Sequence, residues 1–189
     1  GGSGINSLTV DYSGPLADGR TVERVYFTQS YGGTNYVFTN DGTQTPVGLY
    51  NFAYVTLTGT TGDDNFQAPS GGSTFYGLGG TDTFNGGAGV DVVDGGSGDD
   101  YFINIRLGDS VTGGSGQDYL SFSFENAVAD LTVNMLTGVG AGSWTGIERV
   151  TGTLGEGNDT VIATAQLDYI HGGSGINSLT VDYSGPLAD

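Results

Sequence analysis

Seven nine-residue units run without a gap from Gly59 to Ser121: GTTGDDNFQ, APSGGSTFY, GLGGTDTFN, GGAGVDVVD, GGSGDDYFI, NIRLGDSVT and GGSGQDYLS. The sixth position reads Asp64, Ser73, Asp82, Asp91, Asp100, Asp109 and Asp118, and the eighth is always apolar: Phe66, Phe75, Phe84, Val93, Phe102, Val111 and Leu120. The fourth is glycine except at Leu107. Fixed self-similarity of this kind signals stacked repeats, in which each unit buries its apolar residue only against its neighbours. A glycine-rich turn closed by a carboxylate, followed by a short strand with one inward side chain, predicts stacked sites for a hard cation. Calcium takes six to eight oxygens at about 2.3–2.6 Å from carboxylates and carbonyls. One turn cannot supply that many, whereas two turns stacked at the strand spacing of about 4.8 Å can.

Charge points the same way. The chain of 189 residues has 21 acids, four arginines, no lysine and a net charge of −17. Nine aspartates and one arginine fall between Gly59 and Ser121. Such a balance repels phosphate backbones and excludes nucleic acid as a partner. It invites counter-ions, because crowded carboxylates oppose compaction. The 37 glycines lack a collagen period, and at about 1 kcal/mol each relative to alanine they oppose helix. The competing reading of the aspartates is a metal-free β-solenoid in which they bond turn amides.

GGAGVDVVD, GGSGDDYFI and GGSGQDYLS resemble the RTX family, whose GGxGxDxUx repeats (U apolar) form a parallel β-roll that binds calcium between coils. The resemblance implies two nonapeptides per coil, so that alternate units stack on one edge. One edge then carries Asp64, Asp82, Asp100 and Asp118, preceded by Gly62, Gly80, Gly98 and Gly116. About three strong calcium sites are expected there, between 64 and 82, 82 and 100, and 100 and 118. The other edge carries Ser73, Asp91 and Asp109 and is degenerate. A second run, LGEGNDTVI, ATAQLDYIH and GGSGINSLT, pairs Asp159 with Asn177 in a weaker site, since Asn keeps an oxygen but loses the charge. Asp168 sits in a turn without glycine and reads as structural.

Residues 1–18 recur unchanged as residues 172–189. The expected organisation is the start of a repeat unit (1–18), an aromatic-rich β segment (19–58), the main roll (59–121), a second β segment (122–153), and a short run leading into the next repeat (154–189). Aromatic and β-branched runs such as NYVFTND, between turn signals, predict antiparallel strands in 19–58. The expected fold is therefore all-β, a parallel β-roll (β-solenoid) with interspersed antiparallel β segments. Trp144 and Met135 are expected to cover the roll.

Catalytic groups are sparse. His171 is the single histidine, at a position expected on the surface, and no cysteine is present. The GGSG stretches lack the GxxxxGK[ST] of a phosphate loop. No apolar run approaches the roughly 18 residues of a membrane span, so no membrane insertion is expected. The sequence thus predicts no enzyme, but a calcium-binding structural repeat of a long secreted bacterial surface protein such as an adhesin stalk, surface layer or extracellular fibre. It would lie outside the cell, exported by a type I route, with calcium and neighbouring copies of the repeat as partners. The alternatives are an accessory RTX module of a secreted enzyme or toxin, and a glycan-binding module using Tyr12, Tyr26, Tyr31, Tyr36, Tyr50 and Tyr54.

Overall fold

The structure is a computed structural model that describes residues 7–14, 25–29, 35–39, 47–49, 52, 54–135, 137–139, 142–163 and 167–181. These residues form strands and turns, with no helix among them; none is thus long and apolar enough to cross a membrane. Two parallel walls face each other. The first contains, in order, β1 (Ser7–Asp11), β5 (Tyr54–Thr58), β7 (Ser73–Tyr76), β9 (Val92–Ser97), β11 (Ser110–Ser115) and β15 (Ser143–Thr145). The second contains β6 (Asn65–Gln67), β8 (Thr83–Asn85), β10 (Tyr101–Ile105), β12 (Tyr119–Ser123), β16 (Arg149–Thr153) and β18 (Leu167–His171).

Successive nonapeptides alternate between the walls, so equivalent residues stack one above the other. Phe66 pairs with Phe84, Phe84 with Phe102 and Phe102 with Leu120; Phe75 pairs with Val93 and Val93 with Val111. All seven eighth-position side chains are buried. Their rings interlock across the roll, with Phe66 and Phe75 centroids 4.6 Å apart and Phe75 and Phe84 5.1 Å apart. Each such side chain contributes about 1.5–3 kcal/mol by leaving water. The apolar position therefore builds the interior and leaves the turn residues to line the edges.

Antiparallel strands extend the second wall beyond β6. There β2 (Val25–Gln29) pairs with β6 in parallel, and β3 (Asn35–Thr39) and β4 (Val47–Leu49) follow antiparallel. The side chains of Tyr26, Tyr31, Tyr36 and Tyr50 lie outside the described residues. Tyr12 packs half-buried against the core, whereas Tyr54 is exposed.

At the other end one long coil changes the partner of the second wall. After β12 the chain forms β13 (Thr132–Asn134) and β14 (Gly138–Val139), returns to the first wall as β15, and re-enters the second as β16. Strand β13 seeds a third sheet, to which β17 (Thr160–Ala163) and β19 (Ser178–Val181) add in parallel. Trp144 aligns with Val111 and lies 5.3 Å from Phe122, so it fills the roll where the sequence suggested a cover. Met135 is buried likewise. Asp168 falls inside β18 and not in a turn.

Candidate metal centre

The GGxGxD turn depends on glycine at three positions for three reasons. At the first position, a Cβ on Gly77 would land on Asp82 Oδ2 and the Gly95 carbonyl oxygen. Gly95 meets Asp100 Oδ2 and the Gly113 carbonyl, and Gly113 meets Asp118 Oδ2 and the Gly146 carbonyl. At the fourth position Gly98 and Gly116 stack directly on the backbone of Gly80 and Gly98, and Gly80 on that of Gly62. At the second position Leu78, Gly96 and Gly114 are left-handed, with φ of 76°, 100° and 112°. That region costs a residue with a Cβ about 1–2 kcal/mol, and Leu78 adopts it here.

The aspartates form vertical ladders. On the long edge the backbone N–H of Asp64 donates to Asp82 Oδ1 (2.7 Å), that of Asp82 to Asp100 Oδ1 (2.8 Å), and that of Asp100 to Asp118 Oδ1 (2.9 Å). Asp118 N–H donates in turn to Glu148 Oε2 at 2.9 Å. On the opposite edge Ser73 donates to Asp91 (2.8 Å) and Asp91 to Asp109 (2.9 Å). A third ladder runs from Leu131 to Asp159 (2.9 Å) and from Asp159 to Asn177 (2.8 Å). Each Oδ1 thus holds the coil before it. The exposed fifth-position acids reach the other way: Asp63 accepts from Thr81 N–H and Asp99 from Gln117 N–H, both at 2.9 Å.

The second carboxylate oxygen separates the turns into two kinds. Asp64 Oδ2 accepts from Thr60 N–H (2.7 Å), Asp91 Oδ2 from Gly87 N–H (3.2 Å) and Asp109 Oδ2 from Arg106 N–H (2.7 Å). Asp82, Asp100, Asp118 and Asp159 have a buried Oδ2 with no hydrogen-bond partner. In the first three of these the second turn residue is left-handed, which turns the loop amides away from the carboxylate. The Ser97 amide, for example, bonds the Leu78 carbonyl of the preceding coil at 3.2 Å. In the fourth, the Glu156 amide is committed to the Ala127 carbonyl at 2.7 Å. At Asp82, Asp100 and Asp118 this buried carboxylate oxygen lies beside a carbonyl oxygen of the next coil with no N–H bonded to it, an acceptor-only cradle. Leaving such a group unmatched is costly, and a cation matches it.

The long-edge sites therefore differ from the sequence expectation. The expected gap between Asp64 and Asp82 is closed, because Thr60 keeps its amide on Asp64; a β-branched residue resists the left-handed conformation that would release it. The open set shifts one coil along, to the gaps of Asp82 with Asp100, Asp100 with Asp118, and Asp118 with Glu148. Glu148 could not be found from the register, since it follows the long coil and lies 30 residues beyond Asp118. Asn177 also departs from expectation. Its Nδ2 donates to the Gly172 (2.8 Å) and Ser174 (3.1 Å) carbonyls, so the amide closes its own turn and offers no free oxygen. Gly62, Gly80, Gly98 and Gly116 act as stacking positions, while the first-position Gly77, Gly95 and Gly113 frame the cradles. Among the described residues no three His, Asp or Glu side chains converge as a metal cluster. Carbonyl oxygens must complete any coordination sphere here. His171 is exposed, its Nδ1 accepting from Gly173 N–H at 3.1 Å.

Burial pushes these carboxyls up. Asp82 rises to about 8, and Asp91 and Asp100 to about 6. Asp109 and Asp118 are raised as well, again chiefly by burial. Ladder amides pull the values down, and stacked neighbours such as Asp100 beside Asp82 add to the rise. A carboxyl whose folded pKa exceeds its ordinary 3.8 binds protons more tightly when folded. Its contribution is complete below about pH 4 and is lost as pH rises through the folded value. The metal-stripped chain should thus be most stable near pH 4 and weaken progressively above it, less steeply beyond about pH 6 and levelling off near pH 8. Urea midpoints across that range test this, and a midpoint that rises with pH would refute it.

Residues 70–102 and 151–179 match the family of the RTX calcium-binding nonapeptide repeat, in four copies. No curated protein and no solved structure matches the chain.

Proposed function

Because the chain carries RTX calcium-binding nonapeptide repeats, which bind calcium within a β-roll, we propose that it serves as a calcium-folded structural repeat of a long secreted surface protein. An adhesin stalk, surface layer or extracellular fibre is the context we favour, with a type I export route and no catalytic role. The observation that carries this reading is the set of four unpartnered buried carboxylate oxygens, at Asp82, Asp100, Asp118 and Asp159. Asp82 with the Gly95 carbonyl, Asp100 with that of Gly113, and Asp118 with that of Gly146 would hold the ions on the long edge. Bound calcium supplies positive charge and oxygen coordination between coils; the chain supplies the spacing. Secretion of RTX repeat proteins is general and fits an extracellular location. There, millimolar calcium fills sites of about 10⁻⁴–10⁻³ M that cytosolic calcium leaves empty.

Calorimetric titration of the metal-stripped chain tests this. Three sites on the long edge and one at Asp159 are expected. A stoichiometry of one or none would overturn the assignment, as would magnesium binding with equal strength, since Mg²⁺ demands a tighter octahedron.

A further inference from the structure

The duplicated end segment occurs twice in the structure, in two different settings. As β1 its SLTV strand heads the first wall against β5; as β19 it ends the third sheet against β17. Backbone amides of a strand point alternately to its two edges. Ser178 N–H donates to the Asp159 carbonyl at 2.8 Å, toward the coil before it. Tyr12 N–H donates to the Thr58 carbonyl at 3.0 Å, toward the strand that follows. In the shared sequence, Ser178 corresponds to Ser7, an odd number of residues from Tyr12. The two amides therefore leave from opposite edges, and the two copies use complementary edges of the same strand.

We propose that in a tandem array one copy of this segment fills both roles at once. The open edge of β19 then receives the Tyr54–Thr58 strand of the following unit, and the third sheet of one unit runs into the first wall of the next. The side chains agree with this register. Leu179 stands opposite Val161 and Val181 opposite Ala163, while in the other copy Leu8 stands opposite Val55 and Val10 opposite Leu57. Merging the copies gives the columns Val161–Leu–Val55 and Ala163–Val–Leu57, and all four outer members are already buried. Leu179 is 56% and Val181 38% exposed at the open end, whereas Leu8 and Val10 are half-buried beside β5. The following unit would cover that apolar surface. The turn before this strand closes through the Asn177 amide, so the joint needs no cation in its own turn.

This inference rests on the tandem-array part of the proposed function and not on its calcium stoichiometry. The test compares the 189-residue chain with a polypeptide of residues 1–171 followed by residues 1–189, two units sharing one joint, both in calcium. Amide exchange at Leu179 and Val181 should slow by on the order of a hundredfold in the longer chain. Equal exchange in both would overturn the joint, whatever the calcium titration of the single chain shows. Val181→Pro removes an amide on the open edge. It should leave the single chain's circular dichroism unchanged but abolish the extra protection at Leu179 in the longer one. Equal damage to the single chain would show that the edge assignment is wrong.

Discussion

Stripped of calcium at pH 8, the chain is expected to lose most of its β-sheet circular dichroism. It should recover the signal at about 10 mM calcium, well above the usual range of about 10⁻⁴–10⁻³ M for extracellular sites. The reason lies in how the acids are stacked. At pH 8 Asp91 and Asp100 are ionised, and Asp82 is at its midpoint of about 8. Folding therefore brings buried like charges to a strand's spacing of about 4.8 Å. A cation in each open gap removes that penalty and adds binding free energy of about 2.7 kcal/mol per site at a hundredfold excess over Kd. Three such sites contribute about 8 kcal/mol, comparable with the whole stability of a typical domain, about 5–15 kcal/mol. A full β signal in metal-free solution at pH 8 would contradict this account.

The second large effect is expected at Asp100. Asp100→Ala removes the Oδ1 that holds Asp82 N–H and the Oδ2 that faces the Gly113 carbonyl. It therefore spoils the gaps on both sides, and calorimetry should show two of the long-edge sites lost. Orphaning the Asp82 amide costs a further 1–3 kcal/mol or so. Asp109→Ala should do the reverse. Both of its oxygens already accept amides, from Asp91 and Arg106. The metal-free form should thus lose about 1–3 kcal/mol per orphaned amide, while the calcium count stays constant. Asp64→Ala should likewise spare the count. Equal loss of calcium from all three variants would show that the division by Oδ2 partner is wrong.

Much of this was legible in the nonapeptides. Position eight identified the core from Phe66 to Leu120, and the alternation of units placed Asp64, Asp82, Asp100 and Asp118 on one edge. The register does not reveal which carboxylates keep an uncommitted oxygen. On the long edge that depends on whether the second turn residue is left-handed, as Leu78 is and Thr60 is not, and at Asp159 on the Glu156 amide being taken by the Ala127 carbonyl. Glu148 and Leu131 were hidden for a different reason. The long coil between β12 and β16 breaks the period, so their ladder positions come from sheet pairing and not from spacing. The competing expectation of amide-bonded aspartates describes part of the geometry: the ladder Oδ1 atoms accept amides, and on the degenerate edge both carboxylate oxygens of Asp91 and of Asp109 do so.

The eighteen-residue coil has a mechanical meaning. Pulled straight, eighteen residues reach about 60 Å, yet wound in the roll they advance only one strand spacing, about 4.8 Å. Each turn is therefore a spool holding roughly twelve times its own height in slack. With ions seated between turns the spool resists tension applied along its axis. If one turn peels away under load, it pays out tens of ångströms of line before the next turn bears the force.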